Sequence, residues 1–159
     1  MAFLPHNEGR KDKRTFLQLS EEDIKFITFT TLSQSLTEIS PSDAFVDFRK
    51  YYAQFSKTTD VAGYVLREIL CEEPMKVKIY TGSDDSIRIW LNGMLIKRVL
   101  ALREAKKDQD SCTGWLKKGK NLLPIEVANG GGDWGLFFRL EDENGNDLFL
   151  SDEGKLERW

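Results

Sequence analysis

The chain has 159 residues, room for one ordinary domain with a real core and too few for two full-size ones. Its 23 Lys and Arg against 26 Asp and Glu leave a formal charge of −3, which excludes the strongly basic footprint of a general nucleic-acid binder. No apolar run approaches the roughly 18 residues of a membrane span, and the two cysteines are too few for a thiolate zinc site built from this chain alone.

The first residues are polar. Arg10, Lys11, Lys13 and Arg14 against Glu8 and Asp12 give 1–14 the composition of a flexible N-terminal segment. Residues 15–150 then read as a single domain and 151–159 as a C-terminal tail, within an acidic stretch that runs from Glu141 to Trp159. The start turns charged at Glu8, so it is no secretory signal as it stands. A native start at Met1 fits the cytoplasm. An excised module of a secreted protein fits an extracellular or periplasmic setting, and the sequence leaves both open.

Over 15–40 the signals compete. Ser20 followed by Glu21, Glu22 and Asp23 resembles a helix N-cap, whereas 25–31 (KFITFTT) is rich in strand formers and reads as a strand. Ser40-Pro41-Ser42-Asp43 is a turn signal. The residues from Ala44 to Phe48 predict a short strand leading into a helical turn through Tyr52.

From Val61 onward the pattern sharpens. Strands are predicted at Val61–Cys71, 75–81, 87–92, 95–99, 112–116, 122–128 and 134–140, with Leu148-Phe149-Leu150 as a last one. Between them lie Glu72-Glu73-Pro74, Gly82-Ser83-Asp84-Asp85-Ser86, Asn92-Gly93, Lys117-Lys118-Gly119-Lys120-Asn121, Gly130-Gly131-Gly132-Asp133 and Asn144-Gly145-Asn146. Short alternating strands with such punctuation predict an all-β, antiparallel β-sandwich of jelly-roll-like type with short helical turns. Val77 and Ile79 alternate with Lys76 and Lys78, and Ile87, Ile89 and Leu91 alternate with Arg88 and Asn92, so one face looks inward and the other meets solvent. The expected core includes Ile87, Ile89, Leu91, Ile125, Val127, Leu136 and Leu140. Pro124 within a strong strand pattern predicts an edge position or a bulge. Cys71 and Cys112, 41 positions apart, form either one disulfide or two small buried hydrophobes.

Antiparallel sandwiches reverse strand direction at each connection, so every second connection falls at the same end. The 83–86 turn, the long 100–111 loop and the 129–133 loop therefore share one end. The Glu72-Glu73-Pro74, Asn92-Gly93, 117–121 and 142–147 turns share the other. Binding residues favour loops held by a rigid scaffold, and the first end collects Asp84, Asp85, Arg103, Asp108, Asp110, Asp133 and the entry of Trp134.

Three ordered fragments carry a resemblance. They are Gly82-Ser83-Asp84-Asp85-Ser86-Ile87-Arg88-Ile89-Trp90-Leu91-Asn92-Gly93, then Leu116-Lys117-Lys118-Gly119-Lys120-Asn121-Leu122-Leu123, then Asp133-Trp134-Gly135-Leu136-Phe137-Phe138-Arg139-Leu140. The set resembles galactose-binding-like β-sandwich modules attached to bacterial carbohydrate-active and secreted proteins. The Ser83-Asp84-Asp85…Trp90 part also resembles PA14-type domains. The likeness spans about residues 44–142 and departs at Pro124 and Lys97. It implies a non-catalytic accessory module that binds carbohydrate. The alternative is a structural or protein-interaction sandwich without a sugar site, because this fold hosts both. The PA14-like part implies calcium at Asp84 and Asp85.

The residues themselves fit more than one role. Asp84 and Asp85 offer hard oxygen donors of the kind calcium takes, and they equally suit a tight hairpin. Trp134 beside Asp133 and the glycine triplet offers a ring face for stacking on a sugar, with Trp90 and Trp115 as alternatives; core packing fits all three. Arg103 offers a planar fork for hydroxyls or a carboxylate, or sits in a solvated surface helix. Lys97, Arg98, Arg103, Lys106 and Lys107 outnumber Glu104, Asp108 and Asp110, a balance that favours an acidic ligand. An enzyme is not expected: His6, the single histidine, lies in the N-terminal segment, and no pair of carboxylates is singled out by spacing. The predicted ligand residues are thus Asp84, Arg103, Asp133 and Trp134, and the predicted partners carbohydrate or another protein.

Overall fold

The computed structural model describes residues 2–4, 37–38, 44–52, 58–151 and 154–158. The strand expected at 25–31 and His6 lie outside them. In chain order the elements are β1 (Ala2–Leu4), β2 (Thr37–Glu38), β3 (Phe45–Asp47), the short helix α1 (Phe48–Tyr52), β4 (Val61–Cys71), β5 (Met75–Asp84), β6 (Ser86–Leu91), β7 (Met94–Val99), β8 (Asp110–Leu116), β9 (Gly119–Asn129), β10 (Gly135–Glu141), β11 (Asp147–Leu150) and β12 (Leu156–Arg158). They form two antiparallel sheets. One has the order β2-β1-β4-β9-β6-β7 and the other β12-β11-β10-β5-β8, with β3 pairing the first half of β10.

The period-two pattern of the strands dictates this packing. Ile87, Ile89, Leu91, Ile125 and Val127 from one sheet meet Val77, Ile79, Leu136 and Leu140 from the other in one shared core, and each of these side chains is buried. Burying one such aliphatic side chain contributes about 1.5–3 kcal/mol. The result is the expected all-β sandwich. The strand at Phe45–Asp47 running into α1 also matches its prediction, and Asp47 caps that helix by accepting the Arg49 backbone N–H at 3.0 Å. Asn92 and Gly93, with φ of 49° and 84°, make the turn of the β6–β7 hairpin.

Three expectations need correction. The 83–86 segment is not a hairpin: β5 belongs to one sheet and β6 to the other, so the chain crosses between sheets at Asp85. Pro124 sits on a central strand, flanked by β4 and β6. Leu122 directs its C=O and N–H toward Asn92 on the β6 side, so Pro124, two residues on, directs its nitrogen the same way. The β6 ladder ends at the Ile89–Ile125 pair, and the missing N–H therefore costs no ladder bond. Arg88 does not meet solvent but is buried in a bidentate pair with Glu126. Ala2–Leu4, in the 1–14 segment, pair with β4 as β1, and Leu156–Arg158, in the C-terminal segment, pair with β11 as β12. Cys71 and Cys112 are thiols rather than a disulfide, the first in the core, where it donates to Glu73 C=O at 2.8 Å, and the second packed against it.

Candidate functional site

The three loops of the predicted end do meet, and Asp85 joins them. One oxygen of its carboxylate accepts the backbone N–H of Arg103 at 2.7 Å, and the other accepts that of Gly130 at 2.9 Å. A carboxylate taking backbone N–H groups from two loops fixes both against the sheet crossing, since each bond is charge-assisted. Its own N–H donates to Ala128 C=O at 3.1 Å. The long loop is fastened again by Arg103, whose guanidinium donates to Ser83 C=O at 3.2 Å and Ser83 Oγ at 2.9 Å and pairs with Asp110. Gln109 Oε1 accepts the Ser83 N–H at 3.2 Å, and Ala101 N–H bonds to Ser86 Oγ at 3.1 Å. Gly82 lies directly beneath this loop: a Cβ there would stand 1.7 Å from Lys106 C=O. On the other wall, Asn129 accepts the Gly131 N–H at 3.1 Å and donates to Thr58 C=O at 2.7 Å.

Between these walls opens a cavity of about 750 Å³, lined by Asp60, Asp84, Asp85, Leu102, Arg103, Glu104, the Gly130–Gly132 backbone and Asp133. Asp84 is 7% exposed, and its carboxylate has no hydrogen-bond or ion-pair partner among the described residues. Burial raises its pKa from the ordinary 3.8 to about 6, and the neighbouring carboxylates of Asp85, Asp133 and Glu104 push the same way. Arg49, held at 2.6 Å from Asp133, opposes this shift. At the opposite end the predicted tight turns also cluster: Asn92 donates to Asn121 at 2.9 Å, and Lys118 pairs with Glu73 at 2.9 Å.

Asp84, Arg103 and Asp133 thus line one cavity, and Trp134 does not. Trp134 is 1% exposed, stacks on Phe48 and donates its indole N–H to Val127 C=O at 3.1 Å. The slot that takes it exists because Gly63, on β4, has no side chain to fill it. No ring face is left for a ligand, so the stacking role assigned to Trp134 is corrected to core packing. Trp90 is buried as well. Trp115 is 66% exposed but lies near the far end of β8, away from the cavity. The acidic-ligand expectation is corrected too, because among the described residues Arg103 is the one cation lining the cavity and is already engaged with Asp110. Asp85 is a weaker metal donor than expected, since each carboxylate oxygen already takes an N–H. Among the described residues no three His, Cys, Asp or Glu side chains converge as a metal cluster.

Sequence reasoning missed Asp60, Leu102 and Glu104. The parity argument began at Val61; carried one connection back, it would have placed Asp60 at the same end. Leu102, 86% exposed at the lip of the cavity, is the apolar side chain that the site presents in place of a tryptophan.

No protein-family model matches the sequence, and no curated protein matches it. Solved structures do align with the chain. An anti-sigma factor domain-containing protein aligns with a TM-score of 0.54 at 15% identity, over 76% of this chain and 42% of that one. A PA14 sugar-binding domain from an RTX adhesin aligns with a TM-score of 0.48 at 13% identity, over 88% of this chain and 64% of that one. The PA14 domain of MpAFP antifreeze protein gives 0.46 and 12%, over 71% of this chain and 52% of that one. The chain therefore spans less than two thirds of the length of each. At 15% identity the likeness to the anti-sigma factor domain-containing protein is one of fold alone. No described helix is long and apolar enough to cross a membrane.

Proposed function

We propose that the chain is a non-catalytic module that binds carbohydrate in the cavity between the 83–86 crossing, the 100–111 loop and the glycine loop. The observation that carries this reading is Asp84: a nearly buried carboxylate without a partner among the described residues, at the wall of an open cavity whose walls are fastened by side-chain bonds. Such a preorganised acceptor suits the hydroxyls of a sugar, and Leu102 supplies apolar contact for a ring face. Asp84, Asp133 and Glu104 would orient the hydroxyls; Arg103 acts by holding its loop to Ser83 and Asp110.

Calcium fits the site in part. Its donors would be Asp84 and the remaining lone pairs of Asp85, with backbone carbonyls and water completing a shell of the 6–8 oxygens that calcium prefers. The ion would supply charge for sugar hydroxyls to coordinate.

A glycan array run with calcium and with chelator, on the wild type and on Asp84→Asn, tests the reading. Binding that the variant loses while its fold is retained supports it. An empty array in both conditions overturns it. The second reading, a protein-interaction sandwich, is favoured by Trp115, a large ring left 66% exposed on β8, an edge strand of its sheet. Loss of a partner on Trp115→Ala, with the array empty, would select it.

A further inference from the structure

We propose that the cavity discriminates by charge, accepting uncharged glycans and rejecting those that carry carboxylates, an inference that rests on the carbohydrate reading and narrows it. Among the described residues, five carboxylates, from Asp60, Asp84, Asp85, Glu104 and Asp133, line the cavity against the single guanidinium of Arg103. That guanidinium is not available to an anion: it is 19% exposed, donates to Ser83 Oγ at 2.9 Å and is paired with Asp110. Arg49, at the rim, is occupied in the same way by Asp133 at 2.6 Å and Asp47 at 3.5 Å. A divalent cation bound at Asp84 would leave the lining still net negative.

The acidity alone would not define a site. Asp84 adds the independent observation, because it is more than nine-tenths buried, faces the cavity wall and has no partner among the described residues. A sialic or uronic acid entering here would bring its carboxylate against like charges that are buried at Asp84 and Asp85 and exposed at Asp60, Glu104 and Asp133, and Coulomb repulsion is strongest beside the buried pair. A neutral sugar of the same size brings no charge against the lining and finds carboxylate acceptors for its hydroxyls. The charge pattern of the cavity, rather than its shape, then sets the ligand class.

The test compares neutral glycans with their sialylated or uronate-bearing counterparts on one array, at low and high salt, in calcium. The neutral member of each pair should bind about tenfold more tightly or better at low salt, with the gap closing as salt screens the lining. Glu104→Lys, a reversal at an exposed position, should narrow the gap at low salt. Equal or tighter binding of the acidic members overturns the inference while leaving the carbohydrate reading intact. An empty array sinks the carbohydrate reading, and calcium alone then decides the charge inference. A rise in melting temperature that Asp84→Asn abolishes keeps the cavity as a cation-accepting, anion-rejecting site; no rise overturns it as well.

Discussion

Phe48 and Trp134 stack with ring centroids 4.9 Å apart and 14° between their planes, joining the short helix after β3 to the entry of β10. The contact carries the α1 segment onto the second sheet, where Phe48 N–H also donates to Trp134 C=O at 3.0 Å. Replacing Trp134 by Ala should therefore lower stability by ~3–5 kcal/mol. The check is urea unfolding: a loss under about 1 kcal/mol would mean that the indole is not core. Gly63→Ala should also destabilise, because its new Cβ would stand 2.6 Å from Phe48 and 2.7 Å from Trp134.

A second coupling lies on the face of the first sheet turned away from the sandwich core. Arg88 donates two hydrogen bonds of 2.8 Å to the carboxylate of Glu126, and Tyr64 donates its hydroxyl to the same group. Burial, and then the negative charge of Glu126, hold the Tyr64 hydroxyl far above the ordinary range, so it stays a donor. Arg88→Leu leaves a buried carboxylate without its cation and should cost ~3–5 kcal/mol. Adding Glu126→Leu should recover part of that loss. A double-mutant cycle with no coupling would contradict the pairing.

Much of this was legible from Val61 onward, where alternation and turn residues coincide. Parity of the connections then brought Asp84, Arg103 and Asp133 together, because a sandwich reverses direction at each connection whichever sheet the strands occupy. What stayed hidden depends on partners far along the chain. Trp134 follows a glycine loop and looks exposed locally, yet its slot is made by Gly63 and Phe48. Arg88 alternates like a surface residue, but Glu126, 38 positions later, pairs with it. Pro124 signalled a break in pairing correctly in kind; the break is the end of the β6 ladder rather than the edge of the sheet.

Gly82 offers a way to move the cavity wall without touching a lining residue. An added Cβ would sit 1.7 Å from the Lys106 carbonyl, so the loop carrying Leu102, Arg103 and Glu104 must lift away from β5. Gly82→Ala should cost ~1–3 kcal/mol. It should also make the 100–109 segment open to limited proteolysis and weaken glycan binding beyond what the stability loss explains. A variant with an unchanged cleavage pattern would show that the loop does not rest on this strand.

The titration of Asp84 gives the most direct handle on the cavity. Its pKa in the folded chain is raised from 3.8 to about 6, first by burial and then by Asp85, Asp133 and Glu104. The folded state therefore holds this proton more tightly than the unfolded state does. Its contribution to stability is fully present below the unfolded pKa, declines as pH rises through the interval up to about 6, and is absent above it. Asp84→Asn keeps the shape and removes the charge, so the variant should melt at a higher temperature than the wild type near neutral pH. The two curves should converge as pH falls toward the unfolded value. The difference between the proteins isolates Asp84 from every other carboxylate that titrates in the same range. If calcium binds at Asp84, it should raise the wild-type melting temperature near neutral pH and leave the variant unmoved. Melting curves recorded across this interval, with calcium and with chelator, read both effects. A variant that melts below the wild type at neutral pH without calcium would show that the Asp84 carboxylate has a stabilising partner.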